Sequence, residues 1–156
     1  MDEARDELVK GIGEVCISAS SLEWSLAYLT SVVRYRGNDD KFVEIASTPG
    51  APLKEFRKTV RSPGALQAPE QAEAEKILAD AERLLEDRNR VVHSAIMDEL
   101  EPDSRLYDAW HAKSNSIWSV DPIYLNNLAR DLKQCVAAAD AFGTAWEERA
   151  EDARLA

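Results

Sequence analysis

Cysteine and histidine, the residue types of zinc sites and covalent staples, are scarce in this chain. It holds only two cysteines, Cys16 and Cys135, far apart and without metal-ligand spacing. Buried, reduced core side chains are the reading they invite. No apolar run approaches the roughly 20 residues needed to span a bilayer, and the acidic opening residues are unlike a signal peptide. A phosphate-cradling glycine loop, a zinc spacing and a Gly-x-Ser-x-Gly elbow are all missing, as are internal repeats and low-complexity tracts. Positive charge is scarce as well. Lys and Arg number 19 against 29 Asp and Glu, for a net charge of −10, which argues against broad nonspecific nucleic-acid binding because that depends on neutralising phosphates. One local basic groove stays compatible with this balance. The absences together describe a soluble, cytoplasmic protein with no membrane partner, no cofactor and no metal.

What is present suits a single mainly α domain. At 156 residues, with 45% hydrophobic and 31% charged positions, the chain can bury about two-thirds of its unfolded surface. Leu8, Ile12, Val15, Ala19, Leu22, Leu26, Leu29 and Val33 alternate steps of three and four, which predicts one long helix from Asp2 to about Arg36 with a packing seam. Gly11 and Gly13 mark a kink or a close approach within it. Leu125, Leu128, Leu132, Val136, Ala139, Phe142 and Trp146 form a second seam behind Asp121-Pro122, a capping residue followed by proline at the first helical position. Gly143 interrupts that seam late. Residues 1–146 make the domain, and 147–156 read as a frayed, charged tail.

Between the seams lie shorter pieces. Asp39 and Asp40 can cap a short helix over about 41–46, and Leu53, Phe56 and Val60 share one apolar helical face. Lys54, Arg57, Lys58 and Arg61 surround the other face. From Arg34 to Arg61 stand seven basic residues against four carboxylates, a local excess of three positive charges in an acidic chain. This is the best candidate for a phosphate-tracking, RNA-binding surface, although most such faces are simply solvated.

A third long helix is expected from about Pro69 to His93. Ile77, Ala81, Leu84 and Leu85 set its apolar stripe, continued by Val91 and Val92. Asn89 and His93 are one turn apart on a shared face. Arg88 falls on the apolar stripe, and a guanidinium placed there must find partners because it cannot shed its charge. Glu23, beside the first seam, is either a solvated rim carboxylate or such a partner. After His93 the pattern becomes extended, over 95–100 and 106–112 around the polar Glu101-Pro102-Asp103-Ser104, with Ile117 and Trp118 in a further extended piece. His111, the second of two histidines, reads as an ordinary side chain of that segment.

The stretch Arg88-Asn89-Arg90-Val91-Val92-His93 resembles the signature of the HEPN superfamily, an arginine with an adjacent polar residue and a histidine a few positions later, near the end of a core helix. The order of elements from about residue 5 to 146 is also similar to a HEPN-like helical bundle, with long first, motif and last helices and a short extended insertion before the last. The chemistry of the residues stands apart from that resemblance. Histidine moves protons near neutral pH, arginine offers fixed charge to a phosphate, and an amide can orient either. Together they suffice for metal-independent cleavage of RNA by its own 2′-hydroxyl. The resemblance adds a homodimer with a composite site, catalytic roles for Arg88, Asn89 and His93, and a toxin or antiphage-defence setting with an antitoxin or other protein partner; Glu23, if it pairs with Arg88, would support the site. It equally admits a non-catalytic dimerisation or partner-binding module.

Overall fold

The computed structural model describes residues 3–99 and 107–156. Helix α1 runs Glu3–Tyr35, α2 Asp39–Ser47, α3 Ala51–Arg61 and α4 Ala68–Val92. Strands β1 (Ser94–Glu99), β2 (Tyr107–His111) and β3 (Ser116–Val120) follow, and α5 spans Pro122–Leu155. The fold is therefore mainly α, with the extended insertion where the alternation put it. No helix among the described residues is long and apolar enough to cross a membrane. The expected turn at 101–104, with Leu100 and Leu106, lies outside the described residues.

Local chemistry accounts for the boundaries. Asn38 accepts the Lys41 N–H at 2.9 Å and starts α2. The Gln67 N–H donates to Glu70 at 3.2 Å, a carboxylate in the first turn of α4 satisfying one of the helix's orphan donors. Asp121 Oδ1 accepts the Tyr124 N–H at 2.7 Å, so the Asp121-Pro122 start works as its residue types suggest. Arg36 and Gly37 both take positive φ, and the Gly37 N–H closes on the Ser31 carbonyl at 3.0 Å, which ends α1. The strands form one antiparallel sheet in the order β1-β2-β3, with Ser94 opposite His111 and Ala109 opposite Trp118.

Packing divides the chain into two compact units. Met1–Ala19 and Arg83–Leu132 form the first, Ser20–Glu82 and Lys133–Ala156 the second. In the first, Leu8, Val15, Leu84, Leu85, Val91, Ala109, Val120, Leu125 and Leu132 are buried. Gly11 is a close approach rather than a kink: a Cβ there would lie 2.9 Å from Leu125 Cβ and Cδ1, and α1 passes through it unbroken.

In the second unit Leu22, Leu26, Leu29, Phe56, Val60, Ile77, Ala81, Ala139 and Phe142 are buried, and the three long helices meet. Ser25 donates to Asp140 at 2.7 Å, Tyr28 to Glu147 at 2.5 Å, and Cys135 Sγ lies 3.9 Å from the Ile77 carbonyl. Both cysteines are free thiols; Cys135 is buried, but Cys16 only partly so, because it stands beside the seam rather than on it. The charged end read as a frayed tail is helical to Leu155. Tyr28–Glu147 and an Arg149–Glu70 ion pair of 2.9 Å tie it to α1 and α4. Gly143 does not interrupt α5, and it brings the helix close to Tyr28, whose Cε1 would be 3.0 Å from an added Cβ.

Two outcomes follow for stability. Gly11→Ala forces Leu125 aside, and overpacking of this kind costs about 1–3 kcal/mol, outweighing the ~1 kcal/mol that alanine contributes to a helix. Gly13→Ala meets nothing within 4 Å and stabilises by up to ~1 kcal/mol. Chemical denaturation of the two variants is expected to give opposite signs. Burial first, then the bond to Glu147, pushes the Tyr28 hydroxyl up to about 12 from its ordinary 10.0. The folded state thus holds a proton that the unfolded chain releases above pH 10. That share of stability is intact below pH 10 and is lost as the pH rises through about 12, a slope that Tyr28→Phe should reduce in melting experiments.

Candidate functional site

Arg88, Asn89 and His93 all belong to the first unit, the first two in the last turns of α4 and His93 directly after it. The buried stripe of that helix reads Ala74, Ile77, Leu78, Ala81, Leu84, Leu85 and Val91. Arg88 falls on the same stripe and is half-buried, with its Nε sealed from solvent. It is not an unaccompanied charge. Asn89 is half-buried and His93 exposed. The His93 N–H donates to the Asn89 carbonyl at 2.9 Å, so helical geometry reaches His93 and keeps it one turn above Asn89. Val92 departs from the expected stripe and is 43% exposed, since it stands one position past buried Val91. The trio thus offers an exposed imidazole at a helix C-terminus, an amide one turn below and a guanidinium on the apolar side.

Around this end of α4 the structure gathers residues that sequence reasoning did not join to the motif. Ser94 Oγ donates to the Arg90 carbonyl at 2.5 Å and accepts the Trp118 indole N–H at 3.0 Å. The Arg90 guanidinium is 5.9 Å from the centre of the Trp118 ring, at the outer limit of a cation–π contact. Tyr124 meets the same ring edge-on at 5.5 Å. Its hydroxyl is pushed upward by burial and by the Asp87 charge, with Arg90 opposing. The available signal was the Ser116–Val120 alternation, which puts Trp118 and Val120 on one face of β3; nothing in spacing alone places that face against α4. His111 is buried, with Nδ1 2.7 Å from Ser114 Oγ, as expected for a side chain serving the insertion.

The other candidates belong to the second unit. Lys54 and Lys58 are exposed on α3, and Arg57 is half-buried. Their charge is largely answered within the unit. Arg57 Nε is 2.6 Å from Glu82 Oε1, with Arg61 3.9 Å from the same oxygen. Lys58 pairs with Glu55 at 2.7 Å, and Arg34 reaches Glu55 at 3.3 Å. Exposed pairs of this sort contribute about 0–1 kcal/mol each, but each one lowers the field presented to a phosphate. The local positive excess counted along the chain omits Glu82, which α4 brings to α3. Glu23 is half-buried on α1 and has partners of its own. Among the described residues no group of three or more His, Cys, Asp or Glu is placed to hold a metal ion.

No protein-family model, curated protein or solved structure matches this chain, so the site has to be argued from its own residues.

Proposed function

We propose that the chain is a cytoplasmic, metal-independent endoribonuclease of the HEPN type, acting as a toxin or in antiphage defence. The observation that carries this reading is the end of α4, where Arg88 is half-buried, Asn89 is adjacent and His93 is exposed one turn on. In the proposed reaction the 2′-oxygen of a ribose attacks the neighbouring phosphorus and the bond to the 5′-oxygen breaks. One product carries a 2′,3′-cyclic phosphate and the other a 5′-hydroxyl. His93 takes the 2′-hydroxyl proton or supplies one to the leaving oxygen. Arg88 answers the charge that grows on the phosphoryl oxygens, and Asn89 orients them. A homodimer that brings two such helix ends together would supply the second histidine, so that base and acid act in one cleft. Burial of Arg88 on an otherwise apolar stripe is compatible with such an interface.

A second reading has its own support. The carboxylates at Glu55 and Glu82 occupy much of the basic face, and the chain is strongly acidic overall. A non-catalytic dimerisation or partner-binding module, for instance one that receives an antitoxin, needs no phosphate-tracking surface.

Cleavage of mixed RNA in EDTA separates the two. Wild type is expected to cut and leave 2′,3′-cyclic phosphate ends, and His93→Ala to lose about 10²–10⁴-fold in rate with its helical content unchanged. If neither protein cuts any RNA offered while both remain folded, the interaction module takes over. The basic face has a separate test in filter binding across salt concentrations. Neutralising Lys54, Arg57, Lys58 and Arg61 should weaken RNA binding and flatten its salt dependence. Glu82→Gln should strengthen binding, since it releases Arg57 and Arg61 from their carboxylate. Affinity indifferent to every one of these changes would place the RNA contact elsewhere.

A further inference from the structure

His93 is the single residue between the end of α4 at Val92 and the start of β1 at Ser94. Its backbone is held from both sides. On the helix side its N–H closes the last turn onto Asn89. On the strand side Ser94 is in register with His111, while its hydroxyl works in two directions at once. That oxygen donates back to the Arg90 carbonyl in the last turn and accepts from the Trp118 indole on β3. Arg90 completes the ring of contacts by placing its guanidinium at Trp118, and Tyr124 at the start of α5 meets the indole edge-on. A serine hydroxyl has one proton to give and two lone pairs, so this arrangement uses its donor and one acceptor site. Nothing in strand pairing requires the Trp118–Ser94 bond, because the ladder joins β3 to β2 and not to β1.

From this geometry we infer that Ser94 and Trp118 are positioning residues for His93: the bond between them clamps the helix-to-strand junction and fixes where the imidazole starts from. The inference rests on the ribonuclease reading of His93, and it deepens that reading by adding two residues outside the motif. They touch no reacting atom. Their effect is on the geometry of proton transfer, where a misplacement of about 1 Å can cost about 10²-fold.

The test compares Ser94→Ala, Ser94→Thr, Trp118→Phe and the Ser94→Ala/Trp118→Phe double variant in steady-state RNA cleavage. Phenylalanine keeps the ring and removes the N–H, and threonine keeps the hydroxyl in a residue suited to a strand. The clamp predicts a fall in kcat of about 10- to 100-fold for Ser94→Ala and Trp118→Phe with KM little changed. Ser94→Thr should recover most of it, and the double variant should be no worse than either single one, because both remove one interaction. Wild-type kcat in both single variants overturns the inference, as does a double variant whose loss is the product of the single losses. If the wild type cleaves no RNA, it is the ribonuclease reading that fails, and the clamp is then judged by NMR of the His93 ring, its signals identified by their loss in His93→Ala. One sharp set of signals that broadens or doubles in Trp118→Phe supports the clamp. Signals unchanged by that substitution overturn it.

Discussion

Three helices of 25 to 34 residues carry most of this protein, and each is apolar along one stripe only. A helix of that kind draws its stability from burying the stripe rather than from propensity. The rest of the structure follows from that constraint. Where two stripes come closest the chain has glycine, at Gly11 against Leu125 and at Gly143 against Tyr28 and Leu29. Some polar groups at the helix contacts pair, as Ser25 does with Asp140 and Tyr28 with Glu147. The buried Ser25 hydroxyl, left without a partner, would cost about 1–3 kcal/mol. These bonds therefore select one register of α1 against α5 as much as they add stability.

The two sets of candidate residues differ under the same constraint. On α3 Lys58 and Arg61 are exposed and Arg57 is half-buried, and they are answered by Glu55 and Glu82, an arrangement that would suit a solvated helix face. On α4 a guanidinium stays on the buried stripe, where leucine or methionine would have been the simpler choice. A charge kept there needs partners to offset its desolvation, and Arg88 has them. That asymmetry is why the proposed activity is placed at the end of α4, with the basic face in at most a supporting part.

The junction after α4 adds a mechanical element. A histidine at a frayed helix end would sample many positions, and fraying is the ordinary behaviour of the last turn. Here the next residue is already in a strand, and its hydroxyl joins the helix to β3. The three-stranded sheet therefore does more than fill space before α5, since it determines how the motif helix stops.

The long helices, the short α2 and α3, the insertion and its strands were legible in periodicity and turn chemistry, because those signals are local. So were Arg88 on the apolar stripe and the shared face of Asn89 and His93, which follow from 3.6 residues per turn. Three things were not legible. The helical state of 147–155 goes with contacts to Tyr28 and Glu70, far away in sequence, which meet Glu147 and Arg149 when α5 packs. The neutralisation of Arg57 and Arg61 depends on Glu82, 25 and 21 positions further along the chain. Trp118 reaches Ser94 across 24 residues because β2 and β3 fold back on β1. Local sequence set the elements and the faces they present; tertiary structure alone decided which charges and hydroxyls would meet, because long-range pairing depends on packing that no short window of residues contains.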